Sequence, residues 1–506
     1  MHGIRGCRPG GDPALAWSAN LSVKIGGAGT LAHAGVVLPR LLGDQLGLTA
    51  GLSGVLTRAG FTPIRHRGRA LVDAASALAA GATCVSDIEA MTRQVEIFGP
   101  EGGASDTTML RVLDELAGRL NGNGLPGRRL ARAIASARAN AWTQVVARHG
   151  HLPAVRVAGA DLTRPTTAGE QPSQAPRPVV VVRVDATLIE ADSNKAGAAG
   201  TFKGGFGFHP LTAWCTNVGD NLAVMLRPGN AGSFTAADHV LVPGAAIGQI
   251  PARWRTDVLV TIDGAGASHE VIEHLSGLNT APAHGKRGRR VEYSIGWPVD
   301  ERTQGGLGQV RERDWTVALD ADGNPDPDAG VVDLTGILRH GPYGDAMSTW
   351  PDDVRVIARR VPRPAGQQAK LGEDPDWRYG AFATNTKAGQ IQWLDARHRT
   401  QAHVEDKIKE LKACGAENLP SIDWDRNSAW LQLAALAASL NAWLRHLALD
   451  GDLARAEPKA LRYRLLGAPA RHVTHARKRI LKIPPGWAWA TDVVNAWDRL
   501  QALHPA

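Results

Sequence analysis

The chain has few of the residues and motifs that mark several large protein classes. Only four of its 506 residues are cysteine and none forms a CxxC pair, which excludes a disulfide scaffold and argues against a zinc or redox site of that kind. It contains no GxxxxGKS/T loop and no GxGxxG turn between a strand and a helix. An ATP-driven enzyme and a dinucleotide-dependent dehydrogenase therefore have no binding motif here, and we expect no requirement for ATP.

Long apolar runs are also missing. The most apolar segment, residues 429–449, is interrupted by Gln432, Asn441, Arg445 and His446. This pattern suits a buried amphipathic helix better than a membrane span. The first 30 residues are rich in glycine and lack the apolar stretch of a secretory signal. We therefore expect no membrane association and a cytoplasmic protein.

The composition that remains is that of a basic globular protein. Charged residues make up 21% and hydrophobic residues 43%, which excludes disorder for the chain as a whole. There are 57 Lys and Arg against 49 Asp and Glu, so the net charge is +8. This balance favours a polyanionic partner such as nucleic acid, and the length suggests about three structural units.

The first 162 residues are predicted to form a mostly helical DNA-binding region. Apolar residues recur at helical spacing over 68–82, and further helices are predicted over 86–93 and 109–120. The last two flank a glycine-rich turn, an arrangement that resembles a helix-turn-helix. An ordinary helical hairpin is the alternative, so the helix that would read DNA stays open.

An α/β core is predicted after a linker rich in Pro, Thr and Gln at 162–178. Residues 179–184 are almost all β-branched, as in a strand buried on both faces, and the following elements have the order strand, strand, helix, strand, helix. The predicted units are the helical region at 1–162, a first part of the core at 179–277, a β-rich insertion subdomain at 278–380, a second part of the core at 381–450, and a basic helical tail at 451–506.

Two aspartates follow predicted buried strands in positions suited to metal binding. Asp185 ends the strand in VRVDATL, and Asp263 ends a later strand in VTIDGAG. Carboxylates at the ends of adjacent strands, together with an acid from a helix, form the oxygen-rich site that hard divalent cations need. Phosphodiester chemistry uses such a site because two metal ions can activate the attacking oxygen and stabilise the leaving one. For Asp263 alone, a simple turn before glycine is the alternative.

The third acid is predicted on a helix that includes Glu405. Three apolar residues at helical spacing predict the buried stripe of this helix: Val404, Ile408 and Leu411. Glu405 lies at the edge of the stripe, and Asp406 is a rival that periodicity alone does not separate from it. Glu410 points elsewhere and is predicted to lie on a solvated face with the neighbouring lysines.

Several segments together resemble the transposases of bacterial insertion sequences. They are VRVDATL around Asp185, FHPL at 208–211, LRPGNAGS at 226–233 followed by AADH at 236–239, IDGAGA at 262–267, and EDKI from Glu405. The group they resemble is the IS-thirteen-eighty family of the DDE superfamily, and the resemblance extends from about residue 60 to 485. LRPGNAGS with AADH is long enough to make it specific.

The resemblance implies an α/β fold with an RNase H-like mixed-sheet core and an insertion before the last acid. It implies Asp185, Asp263 and Glu405 as the catalytic triad and as ligands of two Mg²⁺ or Mn²⁺ ions. The implied substrates are double-stranded DNA, namely the terminal inverted repeats of the element and its target DNA. Where related transposases carry Tyr and Arg on the last helix, this chain has His398 and Gln401.

Ten side chains are candidates for contacting DNA. On the last helix, Lys412 keeps the family's spacing from the glutamate, and Arg399 lies near the missing arginine but off its register. Arg227 is suited to clamp a phosphate, and Trp297 to stack on an unpaired base. For Arg227 the alternative is a surface charge beside a tight turn, and for Trp297 it is a tryptophan of the core. For the clustered basic residues the alternative is charge that serves solubility alone. The full set is Arg227, Asn230, Arg287, Arg289, Trp297, Arg399, Lys412, Arg477, Lys478 and Arg479.

The sequence therefore predicts a DDE transposase that cleaves the ends of its element and joins the 3′-hydroxyl to target DNA. We expect a homodimer in the DNA-bound assembly, because two ends must be held together, and a location at the bacterial nucleoid. A catalytically inert DNA-binding protein is one alternative. A metal-dependent nuclease without strand transfer is another, and it would use the same site.

Overall fold

A computed structural model describes residues 25, 27–58, 60, 62–99, 102–164, 177–232, 235–264, 267–281, 288–342, 347–364, 366–369 and 374–504. Arg287 and most of the predicted linker 162–178 lie outside these residues. Ser233 of the LRPGNAGS motif lies outside them as well.

The described N-terminal region is mostly helical, as predicted. Its helices are α1 (Val37–Gln45), α2 (Leu48–Leu56), α3 (Arg67–Ala79), α4 (Val85–Thr92), α5 (Val95–Phe98), α6 (Asp106–Ala117) and α7 (Arg128–His149). Ser105 caps α6, because its hydroxyl accepts a hydrogen bond of 3.3 Å from the backbone N–H of Thr108. The predicted helices 68–82, 86–93 and 109–120 correspond to α3, α4 and α6.

A nine-stranded mixed sheet forms the core of the described chain. Its strands are β1 (Val180–Ala186), β2 (Leu211–Cys215), β3 (Asn221–Met225), β4 (Asp257–Ile262), β5 (Arg290–Trp297), β6 (Thr316–Leu319), β7 (Pro325–Asp333), β8 (Arg355–Pro362) and β9 (Trp377–Thr384). Their order across the sheet is β3-β2-β1-β4-β5-β9-β8-β7-β6. β2 pairs antiparallel with β1 and β3, whereas β4 is parallel to both β1 and β5. The first five strands thus have the RNase H-like arrangement.

Two helices supply the crossovers that parallel pairing requires. Helix α8 (Ala236–Gln249) connects β3 to β4, and α9 (His269–Gly277) connects β4 to β5. Ser268 caps α9 by accepting a hydrogen bond of 3.3 Å from the backbone N–H of Val271. The predicted order of strands and helices in the first part of the core is therefore confirmed.

The segment 278–380, predicted as an insertion subdomain, does not form a separate sheet. Its first strand, β5, is the fifth strand of the core, and β6 to β9 continue the same sheet, because Ser294–Trp297 pairs antiparallel with Ala381–Thr384 of β9. The segment also contains two helices, α10 (Glu301–Leu307) and α11 (Thr335–His340). A free strand edge next to β5 allows the added hairpins to join the core through main-chain hydrogen bonds.

The second part of the core is helical after β9. It contains α12 (Ile391–Arg399), a 3₁₀ segment (Thr400–His403), α13 (Val404–Leu411) and α14 (Trp424–Ala448). Helix α14 is buried on nearly all sides and contacts α3, α6, α7 and β3, so it packs the N-terminal helices against the sheet. Within the described residues, no helix combines the length and apolar character needed to cross a bilayer.

The C-terminal tail, predicted to be helical, also contains a β-hairpin. Besides α15 (Gly451–Ala454), α16 (Pro458–Leu461) and α17 (Ala490–Gln501), it has the strands β10 (Ala470–His475) and β11 (Lys478–Lys482). We call residues 470–482 the basic ribbon. The strand Thr30–Leu31 pairs with β10, so the two ends of the described chain share one small sheet. The β-branched and apolar residues Val473, Ile480 and Leu481 favour strands here.

A buried ion pair joins the N-terminal helices to the core. Arg138 of α7 donates a hydrogen bond of 2.8 Å from Nε to Oδ2 of Asp220, and their side chains are 2% and 0% exposed. The same carboxylate accepts from the indole N–H groups of Trp142 (3.4 Å) and Trp443 (3.1 Å). Asp220 lies between β2 and β3, so these contacts connect α7, the sheet and α14.

We predict that Arg138→Ala lowers the free energy of unfolding by about 3–5 kcal/mol, because it leaves the carboxylate of Asp220 buried without its cation. Urea denaturation followed by tryptophan fluorescence measures this difference. The control is Arg128→Ala, which removes an exposed arginine from the start of the same helix and should change stability by less than about 0.5 kcal/mol. Equal losses in the two variants would contradict the assigned role of the pair.

Candidate active site

The two predicted catalytic aspartates lie side by side at one edge of the sheet. In the parallel pair of β1 and β4, Val184 is the partner of Ile262, so Asp185 and Asp263 are the next residue of each strand. Neighbouring strands lie about 4.8 Å apart, and in-register residues of parallel strands point to the same face. The structure thus brings these two carboxylates together, although they are far apart in the sequence.

Backbone amides orient both carboxylates. Asp185 Oδ1 accepts a hydrogen bond of 2.8 Å from the N–H of Ala186, and Asp263 Oδ1 accepts one of 2.7 Å from the N–H of Gly264. In the part of the chain that the structure describes, neither aspartate forms an ion pair. One oxygen of each carboxylate is therefore held by the protein, and the other remains available.

A close backbone contact supports the turn after Asp263. A Cβ atom placed on Gly296 of β5 would lie 2.3 Å from Cα of Gly264, so only glycine allows the turn to pack this closely against the sheet. The position of Asp263 therefore depends on both neighbouring strands. Gly296 could not be identified from the sequence, since a lone glycine in a strand gives no functional signal by itself.

The electrostatic surroundings of Asp185 differ from those of an ordinary surface aspartate. Burial is the largest effect and raises its pKa to about 6, although the hydrogen bond from Ala186 acts in the opposite direction. The negative charges of Asp263 and Glu405 raise this pKa further. The three predicted triad members therefore interact electrostatically, and like charges that repel each other can be neutralised by a bound cation.

Glu405 lies in the first turn of α13 and is exposed. The predicted buried stripe of this helix is confirmed by Val404, Ile408 and Leu411, and α13 packs against β1. The rival Asp406 is also exposed, and its Oδ1 lies 3.2 Å from Nζ of Lys409. Among the residues the structure covers, no three His, Cys, Asp or Glu side chains lie close enough together to hold a metal ion. Two members of the predicted triad, Asp185 and Asp263, therefore lie side by side. Glu405 does not complete a compact cluster with them and interacts with Asp185 electrostatically at longer range.

The chemistry of the aspartate pair fits a hard divalent cation. Both donors are carboxylate oxygens, each fixed through its other oxygen by a backbone amide, and the described chain places no cationic side chain in an ion pair with them. Glu405 is the predicted third donor, and its negative charge raises the pKa of Asp185. Mg²⁺ and Mn²⁺ are the ions that such oxygen ligands favour.

Gln401 connects the segment before α13 to β1 and β4, the strands that carry the two predicted aspartates, and this contact was not predicted from the sequence. Its side chain is 7% exposed, and its Nε2 donates a hydrogen bond of 2.9 Å to the carbonyl oxygen of Val184. Its Oε1 accepts one of 2.5 Å from Oγ1 of Thr261. The only signal in the sequence was that Gln401 stands where related transposases carry an arginine. This difference does not indicate which residues Gln401 contacts.

His398 also faces the sheet. Its ring stacks on Phe382 at 4.4 Å between centroids, and its Nδ1 lies 2.9 Å from Oγ of Ser294 on β5. Burial, followed by nearby arginine charges, lowers the pKa of His398 to about 3. Next to it, the buried Arg397 donates to Glu292 of β5 at 3.0 Å. The segment before α13 is therefore fixed on the sheet by polar contacts.

The predicted solvated position of Glu410 is wrong. This residue is 5% exposed, forms an ion pair of 2.8 Å with Arg445 and accepts a hydrogen bond of 2.9 Å from Asn441. Both partners lie on α14, which covers this side of α13. The helical spacing correctly separated Glu410 from the apolar stripe, but it gave no information about a second packed face.

Two predicted DNA contacts are not accessible. Arg227 is 2% exposed, donates to the carbonyl oxygen of His209 at 2.9 Å and forms an ion pair of 3.3 Å with Asp238 of α8, so it has no free face for a phosphate. Trp297 is 8% exposed, and its ring packs against Trp350 at 4.8 Å between centroids. Both residues belong to the packing of the core, and we withdraw them as DNA contacts.

The other candidates differ in exposure. Asn230 is exposed in its turn, and Lys412 is half-buried. Arg399 is half-buried, paired with Asp395 at 3.0 Å, and Arg289 donates to the carbonyl oxygen of Leu278 at 2.6 Å. The basic ribbon carries three exposed basic residues, Arg477, Lys478 and Arg479, of which Arg479 donates a hydrogen bond to the carbonyl oxygen of Glu96. The ribbon therefore offers the most accessible positive surface among the predicted contacts.

Comparison with known proteins identifies the family. A family model described as "Transposase DDE domain group 1" matches residues 15–505. No curated protein matches the chain. A cryo-EM structure of the piggyBac transposase synaptic complex with hairpin DNA is similar over 86% of this chain and 80% of that chain, with 8% sequence identity and a TM-score of 0.39, a similarity too low to support any conclusion. Because the family model spans nearly the whole sequence, the chain belongs to the DDE transposase family Transposase DDE domain group 1.

Proposed function

We propose that the chain is the transposase of a bacterial insertion sequence similar to the IS-thirteen-eighty family. It binds the terminal inverted repeats, cleaves the DNA at the ends of the element and joins them to target DNA. Membership of the DDE transposase family supports a phosphoryl-transfer enzyme that acts in DNA transposition. The observation that carries the proposal is the pair Asp185 and Asp263, which lie next to each other on parallel strands with no cation partner among the described residues.

Asp185 and Asp263 would hold the divalent ions, and Glu405 would complete the ligand set from α13. When bound, two Mg²⁺ or Mn²⁺ ions supply an activated nucleophile and stabilise negative charge on the leaving oxygen. The protein itself contributes position, because the amides of Ala186 and Gly264 fix the carboxylates before substrate binds. Partial burial of Asp185 strengthens its attraction to a cation, since the surroundings screen charge less than water does.

The proposed reaction has two transfers at phosphorus. Water first attacks the phosphodiester that joins the element to the flanking DNA and displaces the element's 3′-oxygen, which leaves as a 3′-hydroxyl while the flanking DNA keeps the 5′-phosphate. That hydroxyl then attacks a phosphodiester of the target and displaces a new 3′-hydroxyl from it. Each transfer exchanges one P–O bond for another, so the energy of ATP is not required.

The basic ribbon and its surroundings are the proposed contact with the DNA backbone. Residues 458–491 contain eight Lys and Arg and no Asp or Glu, so this segment alone carries a charge equal to the +8 of the whole chain. At the tip of the ribbon, Ala476 and Arg477 adopt φ values of 49° and 63°, which close a two-residue turn and expose the neighbouring cations. A two-stranded ribbon of this kind fits a groove of duplex DNA. The proposed assembly on DNA is a homodimer that holds both ends.

We predict that Asp185→Asn and Asp263→Asn each reduce cleavage of end DNA by at least about 100-fold, because an amide cannot replace the carboxylate as a metal ligand. Glu405→Gln should have a similar effect. The control is Asp406→Asn on the next position of α13, which should retain activity. The assay uses labelled DNA containing the inverted repeats that flank the gene, with Mg²⁺ and with target plasmid, and binding is measured separately.

The products of this assay decide between the proposed function and its alternatives. Joined DNA supports a transposase, cleaved but unjoined DNA indicates a nuclease, and binding alone indicates a DNA-binding protein without activity. Normal cleavage by Asp185→Asn or Asp263→Asn would refute the assignment of the aspartate pair. Normal cleavage by Glu405→Gln would remove only the third acid.

We also predict that the double variant Arg477→Ala with Lys478→Ala weakens the salt dependence of end binding. Each lost phosphate contact should reduce the slope of log K against log salt by about 0.9, so the slope should fall by about 1.8. The matched control, Arg311→Ala with Arg313→Ala, removes two exposed arginines near β6 and should leave the slope unchanged. An unaltered slope in the ribbon variant would mean that these side chains do not contact phosphates.

A further inference from the structure

We propose that Gln401 is a positioning residue that sets the distance between Glu405 and the aspartate pair and thereby tunes the affinity for the divalent ions. The proposal rests on the function proposed above, which places the metal site at these three acids. Gln401 itself touches neither the substrate nor the metal ligands. It acts by fixing the helix that carries one ligand to the two strands that carry the others.

The contacts of Gln401 connect it to the residues just before both aspartates. Its Nε2 donates to the carbonyl oxygen of Val184, whose neighbour in the chain is Asp185. Its Oε1 accepts from Oγ1 of Thr261, two residues before Asp263. One planar amide therefore crosses from β1 to β4 directly behind the proposed site.

The same residue lies one helical turn before Glu405. Gln401 belongs to the 3₁₀ segment Thr400–His403, which leads without interruption into α13. Thr400, next to it, accepts a hydrogen bond of 2.9 Å from the buried Arg183 of β1. Glu405 is exposed and makes no ion pair in the described chain, so its position relative to the strands is set through this segment and not by contacts of its own carboxylate.

Only a neutral amide of this length can make both contacts. A glutamate would accept from Thr261 but could not donate to the carbonyl of Val184 while ionised, and a leucine would make neither hydrogen bond. Losing the amide removes one hydrogen bond from each of these two buried partners and allows the segment to move. Residues that orient metal ligands in this way typically change metal affinity or activity 10–100-fold when they are replaced.

The test compares wild type with Gln401→Leu and Thr261→Val, using the full chain. Binding of Mn²⁺ is measured by electron paramagnetic resonance, and cleavage of end DNA is measured as a function of Mg²⁺ concentration. We expect Gln401→Leu to weaken Mn²⁺ binding at least tenfold and to raise the Mg²⁺ concentration for half-maximal cleavage by a similar factor. Thr261→Val removes one of the two hydrogen bonds and should give a smaller shift in the same direction.

Gln432→Leu is the matched control. Gln432 is also 7% exposed and its side chain also makes two hydrogen bonds, in this case by donating to the backbone carbonyls of Gly124 (3.0 Å) and Val224 (2.7 Å), but it lies on α14 against the far edge strand β3. Its replacement should lower the melting temperature about as much as Gln401→Leu does. It should leave the Mn²⁺ affinity of the folded protein unchanged, which separates positioning from general stability.

A double-mutant comparison tests whether Gln401 affects Mn²⁺ binding through Glu405. If Gln401 acts through Glu405, then Gln401→Leu should have little further effect on Mn²⁺ binding in a Glu405→Gln background. Unchanged Mn²⁺ affinity in folded Gln401→Leu, or equal losses in Gln401→Leu and Gln432→Leu, would overturn the proposal. If wild type binds Mn²⁺ but does not cut DNA, the proposed function fails, whereas the positioning role is still decided by the binding measurements.

Discussion

Parallel pairing of β1 with β4 is the constraint on which the proposed site depends. The register that joins Val184 to Ile262 makes Asp185 and Asp263 leave the sheet at the same edge. A slip of one residue would turn one carboxylate to the opposite face. Such a slip is costly because all six residues of β4 and the first five of β1 are buried, so the packing of apolar side chains also fixes the chemistry.

Two buried carboxylates of the described chain have cationic partners, and Asp185 contrasts with them. Asp220 is paired with Arg138, and Glu410 with Arg445. Asp185 is half-buried and lies near two other carboxylates, yet it forms no ion pair within the described chain. An uncompensated charge is unfavourable away from water. A half-buried carboxylate without a cationic partner lowers the stability of the fold. This unfavourable free energy is the physical reason to expect a bound cation as its counter-charge.

Helix α14 and the segment before α13 are held on the sheet by different kinds of contact. Helix α14 is buried on nearly all sides and holds the N-terminal helices on the sheet. The segment before α13 instead contacts the sheet through polar groups, with His398 near Ser294 and Gln401 between the two catalytic strands. Hydrogen bonds are directional, so they define the position of a helix end more narrowly than apolar contacts do. The position of the exposed Glu405 therefore depends on these hydrogen bonds.

Local periodicity along the chain was enough to predict β1 and β4, the aspartates near their ends and the apolar stripe of α13. It did not reveal that residues 278–380 extend the core sheet, since strand partners are chosen by edges that form only after folding. Nor did it show that Arg227 and Glu410 are buried, because only the packing of the folded chain places α8 against Arg227 and α14 against Glu410. The role of Gln401 was equally hidden: its two hydrogen-bond partners lie 217 and 140 residues away, and only tertiary packing brings a side chain to such partners.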